Sequence, residues 1–207
     1  DGGTDHTREA VAPYLGKRVR YVYQHNRGLS AARNTGIRHA RGELVAFLDD
    51  DDIWFPHKLQ RQVQVFQEHR EIGLLHAYLY RLDERGRVIE LRKPEREPTT
   101  RFDELYLRGT GSPSSMMIRR EVFDTRSGFD EQIPGLEDLE FFSRALEVFS
   151  CFFLPEVVGA YREHARTMTK NKAKMYDGRI IIGRRMLNKI RDPYWKQRTA
   201  MRLARTL

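Results

Sequence analysis

Cysteine is almost absent: of 207 residues, only Cys151 carries a thiol. One thiol closes no internal disulfide, which excludes the small disulfide-stapled secreted folds. Its place between Phe149 and Phe152-Phe153 reads as a buried, inert thiol rather than a nucleophile, and suits a reducing compartment. Long apolar runs are missing too. None approaches the roughly 20 residues needed to span a bilayer, and the opening residues have neither the basic stretch nor the apolar core of a signal peptide. The expectation is a cytoplasmic protein.

What is present supports a real core. Apolar residues make up 40% of the chain, enough for one globular domain with an appendage. The net charge of +8 is uneven: from Arg162 to Leu207 there are 14 Lys/Arg against three acids, a charge of +11, while the first 161 residues carry 23 bases and 26 acids, a charge of −3. Basicity is a property of the tail. That asymmetry disfavours a nucleic-acid-binding core and points to a tail that meets an anionic surface, substrate or partner.

The most informative stretch is Leu44-Val45-Ala46-Phe47-Leu48-Asp49-Asp50-Asp51-Asp52, an apolar run stopping at four carboxylates. The run suits a buried strand of an α/β sheet, and such sheets gather ligands at the carboxyl ends of strands. Four adjacent carboxylates repel one another unless solvated or neutralised, and a hard divalent cation would neutralise them. The plainer reading is a solvated acidic turn.

Around that stretch the pattern is strand, helix, strand, helix. Thr4 or Asp5 is placed to cap a helix over Arg8 to Leu15, Val19 to Tyr23 alternate as a strand, Ser30 starts a helix, and Gly42 ends it. Pro56 suits the first turn of another helix with Leu59, Val63 and Phe66 as its buried stripe. Such alternation predicts a mostly parallel sheet with helices on both faces. Further on come a strand and hairpin from Gly73 to Ile89 turning at Asp83 to Gly86, and a charged proline-containing loop from Arg92 to Pro98. After them the sequence predicts a short helix from Phe102 to Leu107, a flexible loop from Gly109 to Pro113, and a strand from Ser114 to Ile118. Leu139, Phe142, Leu146 and Phe149 share one helical face, which sets Glu137 and Asp138 at the positive end of a helix dipole. Phe152 to Leu154 and Val157 to Tyr161 read as closing strands, and the rest as basic helix.

Six stretches now fall into a known order: Asp1-Gly2-Gly3-Thr4-Asp5, Asn26 to Gly36 with its Ala31-Ala32-Arg33-Asn34, Phe47 to Asp52, Gly128 to Glu131, Glu137-Asp138, and Tyr161-Arg162-Glu163-His164. In order and spacing they resemble family 2 glycosyltransferases, over about residues 1–168. The resemblance implies a GT-A, Rossmann-like fold, an inverting transfer from a nucleotide-diphosphate sugar, a UDP-sugar by preference, to a hydroxyl acceptor, and a divalent metal, Mn²⁺ or Mg²⁺. By the same resemblance, Asp51 binds the metal, Asp49 faces the ribose or nucleotide, Asp1 accepts from the base, Arg33 contacts the nucleotide, and His164 touches metal or diphosphate. Asp138 is the general base that deprotonates the acceptor, a task a carboxylate performs if it lies within hydrogen-bond reach. Asp50 and Asp52 read as solvated or as capping the Pro56 helix.

Resembling enzymes place a strand and helix before the Asp-Gly-Ser-Thr-Asp turn. The sequence opens at that turn, so the expectation is a catalytic domain, residues 1–168, incomplete at its N-terminus and with an exposed sheet edge, followed by a basic helical extension, 169–207. Tyr176, Ile180, Met186, Leu187 and Ile190 among Arg179, Arg184, Arg185 and Lys189 suggest an amphipathic helix able to bring the enzyme, as a peripheral protein, to the inner face of a membrane and a lipid-linked or glycan acceptor. A different class, a non-catalytic module binding nucleic acid or an acidic partner through that tail, conflicts with the acidic core. A two-carboxylate glycoside hydrolase explains neither the aspartate run after a strand nor the arginine motif.

Overall fold

The computed structural model of the chain describes residues 1–92, 101–108, 111–165 and 167–206. Most of the loop expected from Arg92 to Pro98, and residues 109–110 of the glycine loop, lie outside them. Helix α1 (Thr7–Val11) follows the opening turn, where Asp5 Oδ1 accepts from the Thr7 N–H and hydroxyl. Then come α2 (Leu29–His39), β1 (Leu44–Ala46), β2 (Ile53–Trp54), α3 (Lys58–Glu68) and the hairpin β3 (Ile72–Leu82) and β4 (Val88–Arg92). Asp83 makes that hairpin by accepting from the Arg85 and Arg87 N–H groups. After α4 (Phe102–Arg108) follow β5 (Met117–Arg119), α5 (Arg120–Arg126), α6 (Glu137–Ala145), β6 (Ser150–Arg162), α7 (Lys172–Leu187) and α8 (Pro193–Ala204).

The strands form one sheet in the order β1-β5-β3-β6-β2, with β4 paired to β3. The α/β expectation holds, but the sheet is mixed rather than mostly parallel. Strands β3 and β6 are parallel, while β5 runs antiparallel between β1 and β3, and β2 and β4 pair antiparallel with their neighbours. Strands β1, β3 and β6 therefore share one direction, as the alternating pattern requires of them. Two further expectations change. Residues 19–25 form no strand, and Val19, Val22 and Tyr23 stay exposed; alternation becomes a strand only where a neighbour offers a ladder. The two closing strands are one, β6, whose pairing with β3 shifts register between Ala77 and Tyr78, opposite Pro155 and Glu156.

Side-chain alternation divides the core between the faces of the sheet. Leu74, Met116 and Ile118 belong to one cluster with the Phe123, Phe129, Phe141 and Phe142 rings, under α4 to α7. Leu75, Met117, Leu154 and Val158 belong to the other, with Val65 and Phe66 of α3. Cys151 is buried in the first cluster, and burial pushes its thiol well above the ordinary range. Helix α3 presents a different stripe from the one its apolar residues suggest: Lys58 and Gln62 are fully buried with Val65 and Phe66, while Leu59 is 45% exposed.

The basic tail packs into the same core. Ile182, Met186 and Ile190 are buried in the first cluster, so the apolar side that could have met lipid is covered from within. Tyr176 remains exposed. Asn171 accepts from the Lys174 N–H and Asp192 from the Tyr194 and Trp195 N–H groups, starting α7 and α8 by ordinary capping. Arg185 reaches Asp130 at 2.9 Å and Glu140 at 3.2 Å, and Lys189 pairs with Glu147. The approach depends on glycine: a Cβ on Gly183 would sit 2.7 Å from Tyr106 Oη, and one on Gly178 would run into the Gly135 carbonyl oxygen. Among the described residues no helix is long and apolar enough to cross a membrane.

Candidate active site

Strand β1 aims the acidic run, and its continuation is pinned from below. Phe47 is buried edge-on against Phe123 and Phe129, at 6.0 and 5.5 Å between ring centres. Past it the backbone turns, with the Asp52 N–H donating to Asp49 O and the Asp49 N–H to Ser114 Oγ at 3.1 Å. The turn resolves the repulsion of four carboxylates by sending each to a different neighbour. Asp49 meets Arg33, Asp50 faces solvent, Asp51 meets His164, and Asp52 turns inward, accepting from the Arg162 N–H at 3.0 Å. Asp52 is thus neither solvated nor a cap for α3; it straps the acidic turn to the end of β6. Burial pushes its carboxyl up to about 6 despite the hydrogen bonds from Ser114 and Arg162.

Arg33 is the hub. Its guanidinium is 7% exposed and donates through Nη2 to both oxygens of Asp49, at 2.8 and 3.1 Å, and through Nη1 to Glu137 Oε1. Phe129 lies beneath it, 5.6 Å from ring centre to Cζ. Burial acts to lower its pKa, and the carboxylates of Asp49, Glu137 and Asp138 outweigh that and hold it above the ordinary arginine value. The small residues Ala31 and Ala32 let α2 carry this side chain close to the acidic turn.

Asp138 lies one residue beyond Glu137 in the first turn of α6, where its Oδ1 accepts from the Leu139 N–H at 2.8 Å. Leu136 just before it holds a left-handed φ of 63°, a conformation that side-chain-bearing residues adopt at a cost of order 1 kcal/mol. Opposite, His164 is fixed by its N–H donating to Thr167 Oγ1, and its Nε2 lies 2.9 Å from Asp51 Oδ2. A carboxylate oxygen beside an imidazole nitrogen is a donor pair that Mn²⁺ accepts readily. No third histidine, cysteine or acid gathers with them among the described residues.

These residues share one cleft of about 840 Å³, lined by Arg33, Asp49, Asp50, Asp51, Glu137, Asp138 and His164. Asp1 is placed elsewhere. Its carboxylate accepts from Gln24 Nε2 and from the Arg27 and Gly28 N–H groups, shaping the turn before α2, and it lines a neighbouring cavity with Lys17 and Arg20. The cleft also draws on residues that motif reading passes over: Tyr106, Ser112, Thr167, and Arg179 and Arg202 of the tail. Beneath the 112–116 turn sits a buried polar cluster. Lys58 Nζ donates to Gln62 Oε1 and to the Met116 carbonyl at 3.3 Å, over the Trp54 ring, while Gln62 and Trp54 donate to the Ser115 and Ser114 carbonyls. A lysine and a glutamine spaced four apart on a helix give no sequence signal that they face inward.

A mixed α/β sheet with an aspartate-rich turn after β1, crossed by an arginine clamp, defines a GT-A protein. The family model for glycosyl transferase family 2 matches residues 1–126, and the chain belongs to that family. Among curated relatives, it is 43% identical over 79 residues to an uncharacterised glycosyltransferase of Nostoc sp., matching 37% of this chain and 24% of that one. It is 31% identical over 191 residues to the uncharacterised glycosyltransferase EpsJ of Bacillus subtilis, matching 82% of this chain and 53% of that one. The chain spans about a quarter to about half of the curated relatives it matches. Among solved structures it resembles S. aureus TarS 1-349 in complex with UDP-GlcNAc, with a TM-score of 0.70 and 19% identity, over 98% of this chain and 59% of that one. It also resembles the mannosyltransferase PcManGT of Pyrobaculum calidifontis in complex with GDP-Man and Mn²⁺, with a TM-score of 0.61 and 19% identity, over 97% and 57%.

Proposed function

We propose that the chain is the catalytic part of an inverting glycosyltransferase that moves a sugar from a nucleoside-diphosphate sugar, a UDP-sugar, onto a hydroxyl of a glycan or lipid-linked acceptor. The observation that carries this is the convergence of Asp51 with His164 and of Asp138 with the Arg33 clamp in one cleft. Asp51 and His164 would hold Mn²⁺ or Mg²⁺; two protein ligands suit an ion that takes its remaining ligands from phosphate oxygens and water. Bound there, the ion supplies positive charge to a departing diphosphate.

The protein's own groups divide the remaining tasks. Arg33 neutralises Asp49 and Glu137 and fixes where both carboxylates point, which leaves Asp49 positioned at the nucleoside side and Glu137 holding the start of α6. Asp138, at the mouth of that helix, takes the proton of the acceptor hydroxyl as the oxygen attacks the sugar carbon opposite the leaving group. Attack from the opposite face inverts that carbon. Asp1 supports the site by shaping the turn before α2, and its own contact with a base is open to the same binding test.

The test is calorimetry with uridine diphosphate. Binding should require Mn²⁺ or Mg²⁺, and Asp51→Ala should abolish that requirement together with most of the affinity. Equal binding by the wild-type protein with chelator present would refute the metal-dependent reading.

A further inference from the structure

We propose that the end of the cleft built by α7 and α8 is a subsite for a phosphate ester carried by the acceptor, an assignment that rests on the glycosyl-transfer reading above. Beside the cleft lies a cavity of about 420 Å³ whose lining includes Lys172, Arg179, Arg202 and Arg205, with Met175 and Tyr176, and no acid among the described residues. It is continuous with the cleft, since Met175, Arg179 and Arg202 line both.

Two groups among the tail's cations differ in their partners. Arg185 and Lys189 pair with Asp130, Glu140 and Glu147 and hold α7 against the domain. Lys172, Arg179 and Arg205, by contrast, have no carboxylate partner among the described residues. Like charges gathered around one cavity repel one another until an anion joins them. Arginine forks match phosphate oxygens in pairs, and a phosphate there would need no metal. Met175 and the exposed Tyr176 set apolar surface next to those charges, suited to the carbon chain on which a phosphate ester is carried. The other end of the cleft has the opposite character, with Asp49, Asp50 and Asp51 repelling phosphate unless a cation intervenes. The two ends thus sort two anions: a metal-dependent diphosphate at the aspartates and a metal-independent phosphate at the arginines.

The test pairs glycerol 3-phosphate, as a soluble phosphate ester, with phosphatidylcholine vesicles containing or lacking phosphatidic acid. The variant is Lys172→Gln with Arg205→Gln, cations that line the side cavity and not the cleft; the control is Arg184→Gln with Lys196→Gln, exposed cations of the same helices that line neither cavity. The variant should bind glycerol 3-phosphate roughly 10- to 100-fold more weakly without chelator effect, as expected for lost charge-assisted hydrogen bonds, while the control and metal-dependent uridine diphosphate binding stay unchanged. If instead only phosphatidic acid vesicles bind, and the variant alone releases them, the phosphate belongs to a lipid and the assignment stands. Failure of both probes to bind, an equal loss in the control pair, or a loss of uridine diphosphate binding in the variant would overturn it, the last by giving these cations to the donor. Failure of the wild-type protein to bind uridine diphosphate at all would overturn the glycosyl-transfer reading, and the acceptor role with it, even if glycerol 3-phosphate still bound.

Discussion

Asp51 and Asp138 are both carboxylates of one cleft, and their neighbours give them different work. Asp138→Asn keeps the size of the side chain at the head of α6 but removes the carboxylate proposed to accept the proton. Sugar transfer should fall by roughly 10²–10⁴-fold with donor binding intact, read as kcat against donor affinity; near-normal transfer would remove Asp138 from the role. Arg33 works through charge balance. Arg33→Met leaves Glu137, 4% exposed, without its partner, and breaking a buried pair in this way costs about 3–5 kcal/mol. The urea midpoint should drop accordingly, and an unchanged midpoint would show the pair to be dispensable. The carboxylates of the acidic turn, Arg33, Asp138 and His164 were legible in the sequence because their order along the chain carries the resemblance. The partners were not: nothing in a string of four aspartates says that Asp52 turns inward while Asp50 faces water, since that choice is made by Ser114 and Arg162, which lie 62 and 110 residues away.

Elements were read best where local rules suffice. The Asp83 hairpin, the start of α6 and the closing helices follow from turn chemistry, dipole and capping. Helix α3 shows the limit. Its apolar residues suggest one stripe, and the fold buries another that includes Lys58, because the 112–116 turn offers carbonyls to a buried donor. Burial pulls the Lys58 pKa down to about 7. A lowered lysine pKa means that above pH 7 the folded chain releases a proton the unfolded chain keeps until about pH 10. Stability of the wild-type protein relative to Lys58→Met should therefore be level below about pH 7 and rise by about 1.4 kcal/mol per unit above it. Urea unfolding at pH values either side of 7 checks this, and a difference independent of pH would refute it. The missing strand at residues 19–25 has the opposite cause: a good local pattern without a neighbour to pair with.

At the scale of the molecule, the tail is a wall of the site as well as part of the core. A chain ending at residue 168 would expose the surface that Ile182, Met186 and Ile190 cover and leave Asp130 and Glu140 without Arg185. Such a chain should lose its cooperative thermal transition and bind a hydrophobic dye, the signs of slack packing; a sharp transition within a few degrees of the parent would show that the first 168 residues fold alone. The family match ends at residue 126, whereas Glu137, Asp138 and His164 lie beyond it, and Arg33 is one of the side chains that reach across, with Arg27, Asn34 and Arg61. This bears on how such proteins can be recombined. A chimaera joining the first 126 residues of a relative to the remainder of this chain would take its counterpart of Asp51 from the relative and both Asp138 and His164 from this chain. It would keep the clamp on the start of α6 only where the relative supplies an arginine at the position of Arg33, long enough to grip a glutamate it did not evolve beside.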